Sequence, residues 1–379
     1  MNDKKFYVLM MSIFVFGFCF YLGLNLAARK PLWNDELYTQ LATVSVKSYP
    51  ELLLGRSSEG NITPLFYVIQ KAVCDVAHYQ APLAWVKGQW RFQDYYSQIL
   101  LRLAPIFFMA LALALIFYYF ARYYSFALGI YSLFISLSSF MVWSYWAEAR
   151  PYALWFFLTS VQSIIFLLIV RAQGEQKLNW TMLQIVHFLL ALSNVLSVIQ
   201  ISVVALLLWC NGHREWRRYV WLLVVPLSIC FFYYTYSPKY KFWFKEGPLQ
   251  LIAASMPKDR LFIIFAFAAY VWKNKFFADR ILREAVSYLF FTVLMVMGFL
   301  GVCLMFKLTN GTGHEGFQIS NRYFIALAPI GIMAVTLFSN YLVVAVPNKI
   351  MRMGLVILIG CWVGMRLFKS LAMAGAFPF

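Results

Sequence analysis

The feature that most constrains this chain is its series of apolar runs long enough to cross a bilayer. A membrane core requires about twenty mostly apolar residues per helix, and helices are favoured there because they satisfy their own backbone hydrogen bonds. The predicted spans are 6–27, 98–120, 125–144, 153–170, 180–193, 196–210, 219–236, 260–272, 285–306, 323–340 and 353–370. We therefore predict an all-α polytopic membrane protein with about eleven transmembrane helices. Nine or ten spans are also compatible, because the 180–210 stretch is divided only by Ser193-Asn194 and Ser197.

Composition excludes the main alternatives to a membrane protein. Hydrophobic residues make up 63% of the 379 residues and charged residues 12%, whereas soluble domains are about 45–50% apolar and about 25% charged. A soluble globular, disordered or collagen-like chain is therefore excluded. The net charge of +17 is of the kind that flanks membrane spans. Because no polar domain presents that charge, we predict membrane lipids and no nucleic acid as partners.

The loops are unequal in length and charge. Residues 1–379 are predicted to form one integral-membrane domain, in which 28–97 is a long first extracytoplasmic loop with interfacial helices. The Lys and Arg bias of the short loops places the N-terminus in the cytoplasm. Short loops and compact size favour a bacterial cytoplasmic (inner) membrane, with the active site on the periplasmic face. Within the loop, a helix is predicted with Leu65, Val68, Ile69, Ala72 and Val76 on its apolar side and Gln70, Lys71 and Asp75 opposite.

Several common binding motifs are absent or out of context. The six cysteines show no CxxC or Cys/His ligand spacing, so neither a disulfide framework nor a zinc site is indicated. We predict no cofactor and find no support for metal dependence. Residues 311–316 spell GxGxxG, but they lie in an outer loop rather than in a βαβ unit. The loop is interpreted either as a flexible tight turn or as a mobile segment in which His314 contacts acceptor or phosphate.

Adjacent carboxylates follow the first span. Asp35 and Glu36 lie in the run Trp33-Asn34-Asp35-Glu36-Leu37-Tyr38. Crowding two carboxylates against a membrane surface is unfavourable unless they have a use, which makes them candidate catalytic residues. The alternative is that Asn34 or Asp35 caps an interfacial helix, with Glu36 near its positive end.

Other outer turns combine charges with aromatic rings. The turn 146–152 contains Glu148, Arg150 and Tyr152, and the first two residues have the alternative of pairing with each other. Arg322 and Tyr323 begin the tenth predicted span, where a lone Arg also reaches headgroups. The run 238–245 interleaves three lysines with aromatics, as an interfacial anchor or a lipid-phosphate site does. The candidate cations in these turns are Arg150, Arg322, Lys239 and Lys241, and the neighbouring candidates are Glu148, Tyr152, Tyr323 and His314.

These motifs in this order resemble the C-type glycosyltransferase superfamily, specifically its glycosyltransferase family 39-like members. Those include protein O-mannosyltransferases and bacterial enzymes that decorate lipid A and other envelope glycans. The similarity covers most of the first 170 residues and, beyond them, only the layout of spans. Thr63-Pro64 departs from the family's Pro-Pro, which often follows a His that has no counterpart here. The matching segments are Asp35-Glu36, residues 61–67, residues 148–154, and Arg322-Tyr323 before a span that contains Pro329.

The resemblance implies transfer of a sugar from a polyprenyl-phosphate donor to a glycan, lipid or protein acceptor, with inversion. Asp35 is then the general base and Glu36 orients Asp35 or a cation. Arg150 and Arg322 bind the phosphate, with Lys239 and Lys241 as second choices, and Glu148 positions Arg150. The alternative function is a flippase or transporter of lipid-linked sugars. Transporters commonly contain repeated halves and midplane charges, neither of which is visible in this sequence.

Overall fold

Helices make up nearly all of the regular structure. A computed structural model of the chain describes residues 3–56, 63–80, 83–86, 89–92, 95–172, 177–236, 242–243, 279–305, 309–310 and 325–373. The helices are α1 (Asp3–Arg29), α2 (Asn34–Tyr38), α3 (Tyr49–Leu53), α4 (Leu65–Val76), α5 (Tyr95–Tyr123), α6 (Phe126–Leu137), α7 (Phe140–Tyr145), α8 (Tyr152–Ala172), α9 (Lys177–Ser193), α10 (Val198–Cys210), α11 (Trp216–Tyr219), α12 (Val225–Tyr236), α13 (Arg280–Met305), α14 (Leu327–Ala345) and α15 (Lys349–Met373). Strand β1 (Leu83–Val86) pairs antiparallel with β2 (Gln89–Phe92), and β3 (Phe242–Trp243) pairs parallel with β4 (Thr309–Asn310).

Within the described residues, seven helices are long and apolar enough to cross a membrane. The chain is therefore an integral membrane protein by the length and composition of its helices. Two further apolar helices, Phe126–Leu137 and Val195–Cys210, are shorter. The predicted span 260–272 lies outside the described residues. The seven are Lys5–Arg29, Tyr96–Tyr123, Tyr152–Ala172, Trp216–Tyr236, Arg280–Phe299, Leu327–Ala345 and Lys349–Ala372.

Two of the predicted apolar stretches, 125–144 and 180–210, are each divided into two helices in the structure. The 125–144 span is not one helix, because α6 ends at Leu137 and α7 begins at Phe140. The predicted break within 180–210 is confirmed. Helix α9 ends at Ser193, the side chain of Asn194 accepts the Leu196 N–H at 2.9 Å, and a 3₁₀ turn leads into α10. A short polar side chain thus replaces the backbone partner that the interrupted helix would have provided.

The helix ends form two opposite groups. We call the first the loop end: it carries the segment between α1 and α5, to which Tyr233 of α12 donates a hydrogen bond at the Leu53 carbonyl. We call the second the basic end, where α5, α8, α10 and α14 end and α6, α9, α11, α13 and α15 begin. Contacts across the basic end join Arg171 to Tyr123 and Arg280 to Asn211.

Helix α1 approaches α5 closely at one glycine. A Cβ atom placed on Gly23 would lie 2.6 Å from Cγ2 of Ile106 on α5 and 2.8 Å from Nε1 of Trp146. Trp146 is fully buried, so neither neighbour has room to withdraw. The missing side chain at Gly23 is what lets α1, α5 and the segment after α7 pack together.

Two prolines inside helices leave backbone carbonyls to be satisfied by side chains. Pro105 of α5 has no N–H for the carbonyl of Leu101, and Gln70 of α4 donates to that carbonyl at 2.9 Å. Pro226 likewise has no N–H for the carbonyl of Leu222, which lies 2.7 Å from Nδ1 of a buried histidine. In each case a polar side chain from another helix supplies the hydrogen bond.

The histidine at the second carbonyl belongs to a polar chain inside the bundle. His187 of α9 bonds to the Leu222 carbonyl through Nδ1 and to Nε2 of Gln162 through its own Nε2, at 2.8 Å. Tyr288 of α13 donates to Oε1 of Gln162 at 2.7 Å. Because a carbonyl only accepts, Nδ1 carries the proton and Nε2 accepts from the amide. These bonds connect α8, α9 and α13 to Leu222, in the segment before α12.

The orientation predicted for α4 is wrong, although the helix is present. The structure buries Phe66, Tyr67, Gln70 and Cys74, whereas Val76 of the predicted apolar face is 82% exposed. The inward face combines the large rings of Phe66 and Tyr67 with the Gln70 amide, which donates to the Leu101 carbonyl. That hydrogen bond offsets the cost of burying the amide.

The packing at Gly23 predicts the effect of one added methyl group. Gly23→Ala should destabilise the protein by about 1–3 kcal/mol, since a closely packed interface accommodates an added group only by strain. Gly17→Ala is the matched control on α1, because a Cβ at Gly17 meets no atom within 4 Å. Thermal unfolding of both variants in detergent checks this. Equal unfolding midpoints for the two variants would contradict the proposed close approach.

Candidate functional site

A buried ion pair lies at the loop end, at the start of α5. Arg102 donates from Nε to Oε1 of Glu36 at 2.8 Å and from Nη2 to Oε2 at 2.6 Å. Neither side chain has any exposed surface. The two parallel bonds match the planar fork of a guanidinium to the two oxygens of a carboxylate. A pair in this geometry fixes the orientation of both groups.

The remaining donors of Arg102 bind the end of α1. Nη1 donates to the carbonyl of Ala27 at 3.1 Å and to that of Lys30, and Nη2 donates to the carbonyl of Pro31 at 2.9 Å. Ala27 lies in the last turn of α1, whose carbonyls have no intrahelical partners, and Lys30 and Pro31 directly follow the helix. All five N–H groups of the guanidinium are thus bonded. One side chain terminates α1 and connects it to the segment that follows.

Glu36 links that segment to the turn before α8. Its Oε2 accepts the backbone N–H of Trp33 at 3.1 Å, three residues back, as in one half of a capping box. Its Oε1 accepts the backbone N–H of Ala149 at 2.7 Å. The predicted run 33–38 and the predicted turn 146–152 are therefore in direct contact through this one carboxylate.

Asp35 and Arg150 lie next to each other at this contact. Nη1 of Arg150 is 3.5 Å from the backbone carbonyl of Asp35 and 2.5 Å from Oγ1 of Thr39. Both Asp35 and Arg150 are partly exposed, whereas Thr39 is buried. Glu36 and Arg102 are thus fully buried, whereas Asp35 and Arg150 are partly exposed, with the Arg150 guanidinium against the Asp35 backbone.

The other predicted residues of the turn are buried. Glu148 is 4% exposed, and its carbonyl accepts the N–H of Arg150 at 2.7 Å, which closes the turn. Tyr152 opens α8 and packs its ring against Tyr145, with centroids 5.1 Å apart. These residues shape the turn that presents Arg150.

The loop beneath Thr39 has a packed interior of its own. Thr39 begins a π-helical segment that ends at Val44 and packs against α4. Nε2 of Gln40 lies 3.0 Å from Oγ of Ser45 and 3.7 Å from Sγ of Cys74 on α4. Burial raises the pKa of the Cys74 thiol to about 11, so the thiol stays protonated at neutral pH and belongs to the core. The Thr39 hydroxyl, which contacts Arg150, therefore lies on a segment that is packed against α4.

Five predicted site residues lie outside the described residues. They are Lys239, Lys241, His314, Arg322 and Tyr323. For these positions the assignment stays a prediction from the sequence.

Three residues near the site were not selected from the sequence. Arg102 stands within the apolar run predicted as the second span, and a lone arginine in such a run is a signal that was available. Lys30 lies just after α1, with Nζ 3.4 Å from the Ser144 carbonyl. Thr39 has no distinguishing pattern in the sequence, since its role depends on the approach of Arg150.

The chemistry available at this edge follows from its groups. The partly exposed carboxylate of Asp35 can accept a proton, and the Arg150 guanidinium, which lies against the Asp35 backbone, can bind an anion through its N–H fork. Within the part of the chain that the structure describes, no three His, Cys, Asp or Glu side chains are grouped as metal ligands would be.

Comparison with known proteins adds no assignment to this geometry. No protein-family model matches the chain, and no curated protein matches it either.

The buried pair predicts a strong asymmetry between two glutamate substitutions. Glu36→Gln should destabilise the protein by about 3–5 kcal/mol, because it leaves the charge of Arg102 buried without its counter-ion. Glu51→Gln is the control, since Glu51 pairs with Lys47 at 3.5 Å in a partly exposed position where such pairs contribute little. Thermal unfolding in detergent measures both. Equal thermal unfolding midpoints for Glu36→Gln and Glu51→Gln would show that the Glu36–Arg102 pair is not essential to the fold.

Proposed function

We propose that this protein is a membrane glycosyltransferase of the C-type fold, with about eleven spans. It transfers a sugar from a polyprenyl-phosphate donor to a glycan, lipid or protein acceptor, without a metal cofactor. The proposed membrane is a bacterial cytoplasmic membrane, with the loop end facing the periplasm and the N-terminus in the cytoplasm. The activity would decorate an envelope glycan, of which lipopolysaccharide is one example.

One observation carries the proposal: the juxtaposition of Asp35 and Arg150 on a buried frame. Two segments more than a hundred residues apart are joined because Glu36 accepts the Ala149 N–H at 2.7 Å. That bond places the backbone carbonyl of Asp35 3.5 Å from Nη1 of Arg150, and both residues are partly exposed. Transfer from a phosphate-linked sugar needs one base and one anion-binding group, and this pair provides both types.

The proposed reaction is a single displacement at the anomeric carbon. The acceptor hydroxyl oxygen forms a bond to that carbon as the bond to the phosphate oxygen breaks. Asp35 takes the hydroxyl proton, and the electron pair of the broken bond leaves on polyprenyl phosphate, whose negative charge rises by one. A phosphate oxygen leaves as a stable anion, so no strong acid is required, in contrast to the paired carboxylates of glycoside hydrolases. Attack opposite the leaving group inverts the configuration.

Arg150 is the proposed cation for the charge that develops on the phosphate. Its guanidinium is held on Thr39 by one Nη1 contact of 2.5 Å, which orients the group. A fixed donor aimed at a growing negative charge stabilises the transition state more than the ground state. Arg322, Lys239 and Lys241 are proposed as additional phosphate-binding residues on the strength of their sequence positions, with His314 and Tyr323 in support.

Glu36 acquires a narrower role than base or nucleophile. Its two oxygens accept four N–H groups, from Arg102, Trp33 and Ala149, and the side chain is fully buried. A carboxylate so occupied positions its neighbours rather than touching a substrate. We therefore propose Glu36 as a positioning residue and Asp35 as the catalytic base.

The base assignment is tested with a conservative substitution. Asp35→Asn should lower kcat by about 10²–10⁴-fold, the usual contribution of a general base, because the amide cannot accept the proton. The assay uses purified protein in liposomes, a panel of radiolabelled polyprenyl-phosphate sugars and a bacterial envelope extract as acceptor. Asp75→Asn is the control, since that carboxylate is in the same loop and bonds to Tyr49. Full transfer by Asp35→Asn would remove Asp35 as base.

The phosphate assignment is tested by donor affinity. Arg150→Ala should raise the donor KM by about 10- to 100-fold, as expected for loss of a charge-assisted hydrogen bond, whereas Lys47→Ala should not. An unchanged donor KM would remove Arg150 from the phosphate site. If no protein transfers label, while labelled lipid crosses the bilayer equally with wild type and Asp35→Asn, the flippase becomes the better explanation.

A further inference from the structure

The basic end carries a large excess of cations. Apart from the start of α1, the described residues of this end comprise ten cations and three carboxylates, and the loop 173–176 adds one more acid, Glu175, in the sequence. The cations are Arg122, Arg171, Lys177, Arg214, Arg217, Arg218, Arg280, Arg283, Lys349 and Arg352. All three described carboxylates already have partners within the protein. Glu215 pairs with Arg218 at 2.5 Å, Glu284 accepts from Asn211 at 2.9 Å, and Asp279 caps α13 by accepting the Ile281 N–H at 2.8 Å.

Two arginines converge on a pair of tyrosines at the junction of α5 and α8. The guanidinium carbon of Arg171 lies 5.3 Å from the ring centroids of both Tyr123 and Tyr124. Arg122 lies 5.8 Å from the Tyr123 ring, and Nη2 of Arg171 donates to the Tyr123 carbonyl at 3.1 Å. We call these four residues the tyrosine cluster. It holds two positive charges on aromatic faces, where a cation is attracted by the ring quadrupole.

A second cluster of the same kind lies on α9 and α11. Arg218 stands 4.9 Å from the Trp180 ring centroid, and Arg217 stands 5.7 Å from that of Trp216. Trp216 is 66% exposed, although it begins a segment apolar enough to cross a membrane. An exposed tryptophan at the end of such a segment has the position that favours the headgroup region of a bilayer.

The contacts of these arginines use few of their hydrogen-bond donors. A guanidinium has five N–H donors, of which Arg171 uses one for the Tyr123 carbonyl, and a ring attracts the charge as a whole. Those donors match two oxygens of a phosphate. Arg171 and Arg217 are exposed and Arg122 is partly exposed, so a phosphate at the membrane surface can reach them.

We propose that the basic end binds the phosphate headgroups of anionic phospholipids, chiefly through the tyrosine cluster and Arg217. The occupant follows from charge complementarity and depth: the cations stand at the ends of membrane-crossing helices, beside aromatic rings that favour the headgroup region. Because the site lies at the opposite end of the bundle from Asp35, it does not depend on the proposed reaction. Its ligand is the surrounding bilayer rather than a sugar donor.

The experiment compares two lipids with the same acyl chains, one with an anionic headgroup and one with a zwitterionic headgroup. Detergent-purified full-length protein is titrated with dioleoyl phosphatidylglycerol or with dioleoyl phosphatidylcholine, and bound lipids are counted by native mass spectrometry. Each surface cation strengthens binding of an anionic lipid about fivefold. Wild type should therefore prefer phosphatidylglycerol, and Arg122→Gln/Arg171→Gln should bind it roughly 25-fold more weakly, with phosphatidylcholine binding unchanged.

A charge-matched double variant serves as the control. Lys47→Gln/Lys71→Gln removes two cations from the loop between α1 and α5 and should leave phosphatidylglycerol binding as in wild type. Thermal unfolding in lipid-free detergent checks that both double variants are folded. Arg217→Gln should independently weaken phosphatidylglycerol binding by the amount expected for one cation. Equal affinity of wild type for the two lipids, or full phosphatidylglycerol binding by Arg122→Gln/Arg171→Gln, would overturn the proposal.

Discussion

A guanidinium without solvent is tolerated inside a protein only when its charge is balanced and each N–H group has an acceptor. Arg102 meets both conditions through Glu36 and through the carbonyls of Ala27, Lys30 and Pro31. The same condition makes the arrangement cooperative, because displacing any acceptor would leave a buried donor unsatisfied. The end of α1, the start of α2 and the position of α5 are therefore mutually dependent, and the partly exposed edge at Asp35 inherits its geometry from them.

A second constraint comes from prolines placed inside helices. The carbonyls of Leu101 and Leu222 lack the N–H that the fourth following residue would donate, and Gln70 and His187 replace it. In a low-dielectric interior such a bond contributes more than at a surface, since the alternative is an unpaired polar group. The first of these bonds connects α4 to α5, and the second connects α9 to the segment before α12. Both connect a helix irregularity to a neighbouring element rather than leaving it as a flexible hinge.

Apolar runs predicted most of the helices, because the length needed to cross a membrane is a strong signal in sequence. The sequence also indicated that the acidic run 33–38 and the turn 146–152 contain candidate site residues, because both place charged side chains next to apolar spans. Sequence did not reveal that Glu36 would be occupied by Arg102, because the two residues are brought together by tertiary packing alone. The sequence also predicted the wrong inward face for α4. Hydrophobic periodicity considers only the side chains of one helix, whereas Gln70 is buried because it donates to a carbonyl of α5 that has no N–H partner at Pro105. How the chain orients across the membrane likewise depends on loops whose charges give only a bias.

The frame around Glu36 also has a consequence for how the protein is assembled. Every residue that contributes to it, from Ala27 to Ala149, precedes the second half of the chain. Since a polypeptide emerges from the ribosome N-terminus first and its early parts generally fold first, this frame can close while the later helices are still being synthesised. Arg102 would then enter the lipid already neutralised by Glu36, which lies in the preceding loop, instead of crossing as an isolated charge. The pair can therefore form before α9 and the helices after it have been made.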